Sequence, residues 1–368
     1  MNRSDNMHLK GFQYFYFLTV NVKALLLPMI LLTSAKSSGQ QIKVAPFSVN
    51  ISPPIGAPVA YAPARKILDP LTASGIILQT PGDTFVLCAV DYIGIGNEGL
   101  DAWRLALADA AGTSFDKVNV HALHQHDGMR CDLTVERIMD EYGLGGTRFD
   151  VPYILRSIKK VSRAVKKSAR RTIPVSHVGF GEAEVHKVAS NRRILGDDGK
   201  VAIIRWSRVT DSAAIAAPEG VIDPWLKTVS FWQGNKPLAV LTYYATHPQS
   251  YYGHGDVTSE FIGIARRARE KKLNIPHIHF TGAAGNVAAG KYNDGSEEMR
   301  PILANRMEDG MLRAWEATER FAISAREIQY RHTKVALPVA RHLDETDLRG
   351  KLASDTLSRI MKLSAAKH

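Results

Sequence analysis

Cysteine is almost absent from this chain, with only Cys88 and Cys131 in 368 residues. That excludes a disulfide framework, the usual brace of small secreted domains. Cys88 lies in the apolar run FVLCAV and reads as a buried small residue. Long hydrophobic runs are missing as well. The stretch ALLLPMILL, 24–32, falls well short of the roughly 20 residues a membrane-spanning helix needs. With Lys10 and Lys23 ahead of it and the small residues TSAKSSG behind, it has the order of a secretory signal, with cleavage expected near residues 35–39. The expected organisation is a signal peptide over 1–39, one large domain over 40–330 and a C-terminal tail over 331–368. The expected location is secreted or periplasmic.

No HExxH helix, P-loop or GxSxG elbow occurs, so the common zinc-protease, nucleotide-triphosphatase and serine-esterase signatures are out. No sequence repeat and no low-complexity tract is visible. Acidic residues are in deficit, 36 against 47 Lys and Arg, for a formal charge of +11. Such an excess attracts nucleic acid, anionic lipid or acidic substrates. Much of it sits in RSIKKVSRAVKKSARR, 156–171, where Ile154, Ile158, Val161 and Val165 recur at helical spacing. The basic residues are therefore expected on the solvated face of a packed helix. No aromatic residue interleaves with them, and no nucleic-acid partner is expected.

Hydrophobic residues make up 45% of the chain, an ordinary share for a globular protein. The run TFVLCAVDYIGI, 84–95, reads as a buried strand with Asp91 near its carboxyl end. From Asn97 the period turns helical through Leu100, Trp103, Leu107 and Ala110, and Gly112 is a natural stop. KVNVHAL, 117–123, then reads as a strand. A second unit follows the same plan. LKTVSFW and PLAVLTYYAT flank the turn QGNK as a hairpin whose second strand runs to His247; a helix over 258–273 leads to the strand HIHFTG and the small-residue loop GAAGNVAAG. Between the units lie Asn191, Arg192 and Arg193, a turn at Asp198 and Gly199, and a further strand. The expected fold is α/β, a mixed β-sheet core flanked by helices. In such sheets ligands collect beyond the carboxyl ends of parallel strands. Asp91, His124, His126, His247 and Asn286 all fall at such ends.

HALHQHDG, 121–128, carries the strongest chemical signal. In extended chain, residues two apart face the same way, so His124 and His126 are expected to address one ion or one oxygen. Catalytic zinc takes about three protein ligands and an open position, and neutral imidazole suits it. His247, in YATHPQS, offers a ligand from another strand end. His277 and His279 lie inside a strand and are expected in the core or packed behind the metal ligands. A rival signal is GIGNEG, 94–99, which fits a dinucleotide-binding glycine pattern. Against it, the following strand ends in histidines rather than in the acid that would hold a ribose.

HALHQHDG, VASNRR, DPWLKTVSFWQGNKPLAVLTYYATHP, SEFIGIARRARE and FTGAAGNV follow one another in that order. Together they resemble the amino-terminal catalytic domain of the neutral/alkaline non-lysosomal ceramidases, from roughly Val44 to Ile323. The resemblance implies a zinc-dependent amidase that hydrolyses the N-acyl bond of ceramide, on a fold of mixed sheets and helices. It implies zinc on His124 and His247 with His126 beside them, Asn191 and Arg192 lining the site, and the loop of Gly285 and Asn286 under the substrate. The family's Gly-Asp-Val-Ser-Pro loop reads GNVAAG here. Asn286 stands for the acid and Ala288 for the serine, and alanine has no oxygen to attack or polarise a carbonyl. The family's remaining ligands, a Glu and a Tyr, come from segments beyond those that match. GKYNDGS, 290–296, places Lys291, Tyr292, Asn293 and Asp294 beside the altered loop, as a replacement polar cluster.

The expected activity is a secreted, zinc-dependent hydrolase of an N-acylated lipid or related small molecule, with peripheral membrane contact. His124 and His247 are the expected metal ligands. His126, as third ligand or proton carrier, Asp127 and Asn286 carry the expected catalytic roles. Asn191, Arg192, Lys291 and Tyr292 are expected to bind substrate. Asp91, Asp127 or Glu260 is expected to orient an imidazole or to complete the ligand set of the metal. The alternatives are a non-catalytic lipid- or glycan-binding remnant of the same fold, and a dinucleotide-dependent oxidoreductase using the 94–99 glycines.

Overall fold

The computed structural model describes residues 41–366; the signal peptide expected over 1–39 lies outside them. In chain order the principal elements begin with β1 (Lys43–Asn50), β2 (Thr72–Gln79), β3 (Thr84–Val90), α1 (Asn97–Ala111), β4 (Val118–Ala122), α2 (Leu133–Glu141), α3 (Val151–Ala169) and β5 (Ile173–Pro174). They continue with β6 (His177–Glu184), α4 (Ser212–Ala216), β7 (Trp225–Gln233), β8 (Lys236–Tyr244), α5 (Glu260–Leu273), β9 (His277–Thr281), α6 (Met299–Glu316) and β10 (Glu319–Ala322). Two short helices close the chain, α7 (Glu345–Ala353) and α8 (Arg359–Ala365).

The strands form two five-stranded sheets with the same topology. The first has the order β5-β1-β2-β3-β4 and the second β10-β6-β7-β8-β9. In each, successive strands pair antiparallel until a helix carries the chain to a parallel edge strand, β3 through α1 to β4 and β8 through α5 to β9. A second helix, α3 or α6, then returns the chain to pair with the opposite edge. The fold thus repeats a plan without repeating residues.

Strand alternation shows how the layers stack. On β2, Ala73 and Ile77 join the cluster containing Trp103, Leu107, Ile154 and Val161 of α1 and α3, while Ile76 and Leu78 join Phe231, Leu241, Ile278 and Phe280 of the second sheet. A third cluster packs Leu226 and Tyr244 against Phe261, Leu303 and Met307 of α5 and α6. The layers therefore run helices, sheet, sheet, helices. This is the mixed β-sheet core flanked by helices that the sequence led us to expect, with two sheets in place of one.

Sequence explains the helices locally. α1 ends at Gly112, whose left-handed φ of 66° closes the last turn. The side chain of Asp150 caps α3 by accepting from Tyr153 N, and Ile154, Ile158, Val161 and Val165 are buried while Lys159, Lys160, Lys166 and Lys167 face solvent. Each such buried aliphatic contributes roughly 1.5–3 kcal/mol relative to exposure. Within the tail expected over 331–368, α7 and α8 dock Leu352 and Ala365 onto the α1–α3 core. Among the described residues no helix is long and apolar enough to cross a membrane.

Candidate metal centre

The strand after α1 ends at Ala122 and β8 at Tyr244, so His124 and His247 sit just past two strand ends rather than on them. The convergence of His124 and His126 does not come from extended alternation. His124 has φ +71°, a left-handed conformation uncommon for a side-chain-bearing residue, and this turn brings its ring against that of His126. The ligand atoms of His124, His126 and His247 all lie within 4.8 Å of one another.

Backbone and phenol, not carboxylates, orient the rings. His124 Nδ1 lies 2.6 Å from the Ile93 carbonyl and His247 Nδ1 3.0 Å from the Val287 carbonyl, so each Nδ1 carries the proton and donates, leaving Nε2 with a lone pair. His126 Nδ1 is 2.5 Å from the Tyr61 hydroxyl, and its Nε2 is 3.2 Å from His124 Nε2. Facing a lone pair at that distance, His126 Nε2 needs a proton or a cation between the two nitrogens. Two nitrogens on a tetrahedral zinc at about 2.0–2.1 Å stand roughly 3.3 Å apart. The His124–His126 pair therefore has the spacing of two ligands on one divalent ion, and His247 lies within reach as a third.

The rings are also held neutral, the form that binds metal. Burial, followed by the neighbouring His124 and His247, pushes His126 down to about 2. Burial and then the Arg192 guanidinium bring His247 to about 4. Burial lowers His124 against the opposing pull of the Ile93 carbonyl. Arg130 and Arg192 surround the cluster with positive charge. Tyr252 completes the wall, its ring 5.6 Å from His126 and 5.7 Å from Tyr61.

The carboxylates expected to orient imidazoles are engaged elsewhere, which corrects that expectation. Asp91 accepts from Thr72 N and Oγ1 and pairs with Arg266 at 3.1 Å, in the core. Glu260 accepts from Ser250 N and Oγ and from Phe261 N, with Arg300 3.4 Å away. Asp127 accepts from Gly253 N and stands 3.6 Å from Arg300; burial raises its carboxyl to about 7. Through Gly253 it holds the loop that carries Tyr252.

The remaining expected residues divide. Arg192 Nη2 donates to Ser207 Oγ and Gln249 Oε1, and its charge reaches all three histidines. Asn191 is spent on structure, donating to the Val221 carbonyl and accepting from Arg193 N. Lys291 Nζ donates to the carbonyls of Ile215 and Ala217, and the Tyr292 hydroxyl bonds Glu219. Both tie down the segment around α4 and are not brought to the histidines. Asn286 and Asn191 line a cleft of about 620 Å³ with Tyr243 and Trp225. Ala288 is buried, paired with Ser190, whose hydroxyl donates to the Ala288 carbonyl. Among the described residues Tyr61 is the one hydroxyl that hydrogen-bonds any of the three histidines. Tyr61 and Tyr252 carry no signal in the sequence; VAYAPAR and SYYGH read as loops, and only the tertiary fold brings them to His126.

The glycines at 94–99 serve packing. Gly94–Gly96 pairs in parallel with Arg130–Asp132. A Cβ on Gly99 would meet Cys131 Sγ at 2.8 Å, and one on Gly96 would meet Asp132 Oδ2 at 2.9 Å. Asp132 also accepts from Asn97 Nδ2, so a carboxylate occupies the start of α1, where a dinucleotide would place its pyrophosphate.

No model of a known protein family matches the chain, and no curated protein matches it in sequence. Solved structures do. The chain is similar to a neutral ceramidase from Pseudomonas aeruginosa, with a TM-score of 0.57 and 17% identity over 76% of this chain and 45% of that one. It is equally similar to a ceramidase complexed with C2, at a TM-score of 0.57 and 16% identity over 76% of this chain and 44% of the other. The chain thus spans less than half the length of these structures. The likeness is one of fold.

Proposed function

We propose that this protein is a metal-dependent hydrolase on a ceramidase-like fold, acting on the amide bond of an N-acylated lipid or a related small molecule. The observation that carries the reading is the convergence of His124, His126 and His247 with two Nδ1 atoms committed to carbonyls. These three residues would hold zinc, which in such a set supplies Lewis-acid polarisation of a carbonyl and acidification of water.

The chain's own groups set the rest. Ile93, Val287 and Tyr61 fix ring orientation and tautomer, as carboxylates do in other metal sites. Arg192, anchored on Ser207 and Gln249, supplies positive charge where a carbonyl oxygen would gain negative charge. Asn286 lines the cleft that Val287 also borders and would position the remainder of the substrate there, while Asn191 holds the cleft's wall. Asp127 acts through the loop of Gly253 and Tyr252 rather than on the reacting atoms. Because Ala288 offers no nucleophile, water is the attacking group in this reading. The apolar 24–32 segment supports a secreted location, with peripheral membrane contact where the substrate is a lipid.

Full-length protein purified without chelator is expected to contain stoichiometric zinc by elemental analysis. The His124→Ala and His247→Ala variants should lose it, together with hydrolysis of an N-dodecanoyl amide. Undiminished hydrolysis in fully demetallated protein would overturn the proposal. Ala288 favours a second reading, a non-catalytic lipid- or glycan-binding protein. Binding of the same amide without any turnover by the zinc-loaded protein would support it.

A further inference from the structure

One residue beyond Ile93, whose carbonyl orients His124, begins the lining of a cavity of about 260 Å³ formed by Gly94, Ile95, Gly96, Arg130, Asp132 and Arg148, among others. Its cations are unusual. The Arg130 side chain makes no hydrogen bond or ion pair with any described residue, and that of Arg148 makes a single bond, 3.4 Å to the Leu363 carbonyl. Both guanidiniums are partly buried, and each is disfavoured by burial; Arg148 further disfavours the charge on Arg130. Two like charges held near each other in partly buried positions without a carboxylate partner cost stability unless something offsets them. Asp132 does not. Its Oδ1 accepts from Val135 N and its Oδ2 from Asn97 Nδ2, and it forms no salt bridge with either arginine. That carboxylate already serves the start of α1, so the inference stands on the arginine pair and not on the helix end.

The cavity is also linked to the metal centre through Ile93 and Arg130. Gly94 follows Ile93, whose carbonyl orients His124, and Arg130 lies close enough to Tyr61, His124 and His126 to influence all three. A group seated between Arg130 and Arg148 would therefore be tethered next to an acyl bond addressed by the histidines.

We propose that this cavity is a subsite for an oxyanion of the substrate, a carboxylate or a phosphate, so that the preferred substrate is an anionic N-acyl compound rather than a neutral one. Guanidinium pairs recognise both oxyanions through charge-assisted, often bidentate, hydrogen bonds. The inference deepens the hydrolase reading and rests on it for the word substrate. Its test reads binding alone, so the subsite can fail while hydrolysis stands, and the reverse.

Isothermal titration of the full-length protein with N-dodecanoylglycine, N-dodecanoyl-O-phosphoethanolamine and neutral N-dodecanoylethanolamine is the experiment. One or both anions should bind at least about tenfold more tightly than the neutral compound, and whichever does identifies the oxyanion. In Arg130→Gln/Arg148→Gln protein that preference should vanish while binding of the neutral compound holds. Equal binding of all three by the wild type, or a preference that survives the double substitution, would overturn the proposal. Wild-type protein supplies a second readout that needs no variant. Phenylglyoxal labelling of Arg130 and Arg148, mapped by mass spectrometry, should be blocked by the tighter anion and not by N-dodecanoylethanolamine, and labelling indifferent to both would also overturn it.

Discussion

Replacing Tyr61 by Phe isolates one atom. The hydroxyl lies 2.5 Å from His126 Nδ1, and no other described residue bonds that nitrogen. The ring contacts with His126 and Tyr252, at 5.7 Å each, survive in phenylalanine, so packing is retained. A neutral hydrogen bond contributes a net of about 0.5–1.5 kcal/mol, but leaving a partly buried N–H unpaired costs about 1–3 kcal/mol, and the second effect wins. Loss of an outer partner to a metal-binding histidine typically weakens metal affinity by about 10–100-fold, or roughly 1.4–2.7 kcal/mol, which agrees. The assay is competition for zinc against a chromophoric chelator at neutral pH, with the thermal midpoint of metal-free protein as the control for folding. Tyr61→Phe should bind zinc about 10–100-fold more weakly, with the midpoint of the metal-free protein lowered by no more than about 10 °C and unfolding still cooperative. Tyr252→Phe should bind like wild type, because that hydroxyl makes no bond to a ring nitrogen. Equal affinity of Tyr61→Phe and wild type would refute the view that this phenol sets the His126 tautomer.

Three further outcomes follow from buried groups. Arg266 Nη2 meets Asp91 Oδ2 at 3.1 Å with both side chains almost fully buried, so Arg266→Met should cost about 3–5 kcal/mol in urea unfolding by stranding the carboxylate. His277 is buried without a hydrogen-bond partner and lowered to about 3 by burial and by Arg269. The unfolded chain then binds a proton that the folded chain refuses, so this histidine's share of the stability should be lost as pH drops from about 6.5 toward 3, by up to about 1.4 kcal/mol per pH unit; His277→Gln should make the acid limb shallower by about that amount in urea titrations run across this range, with the slope left by the other buried histidines remaining. Gly99→Ala should destabilise by about 1–3 kcal/mol despite better helix propensity, since its Cβ would stand 2.8 Å from Cys131 Sγ, and NAD should leave the melting temperature of wild type and variant unmoved.

Periodicity carried much of this fold. The apolar run 84–95, the helical face of Leu100, Trp103 and Leu107, and the hairpin around QGNK each use local signals that the structure keeps. Hydrophobic spacing likewise placed Ile154, Ile158, Val161 and Val165 inside and the lysines of α3 outside. The repeated strand, helix, strand plan was legible as a second unit following the first; that the two units become separate sheets stacked face to face was not, because local period does not report which strands share a sheet. His277 and His279 in the core were legible, as strand-interior residues.

The candidate site was legible in part. His124, His126 and His247 were named from strand-end position and imidazole chemistry, and they do meet. Their orienters were not, since a backbone carbonyl has no signature in sequence and Tyr61 reaches His126 across 65 residues. The carboxylates drew attention through their charge, yet Asp91 and Glu260 found buried arginines first. Lys291 and Tyr292 were close to the altered loop in sequence but their polar ends turned to the α4 segment. By itself, then, the sequence determined which segments become strands and helices and which residues have ligand chemistry, because those follow from local period and side-chain type. Only the tertiary structure decided which of those groups share a volume, through the left-handed turn at His124, the two sheets stacked face to face and the contest among buried charges for partners.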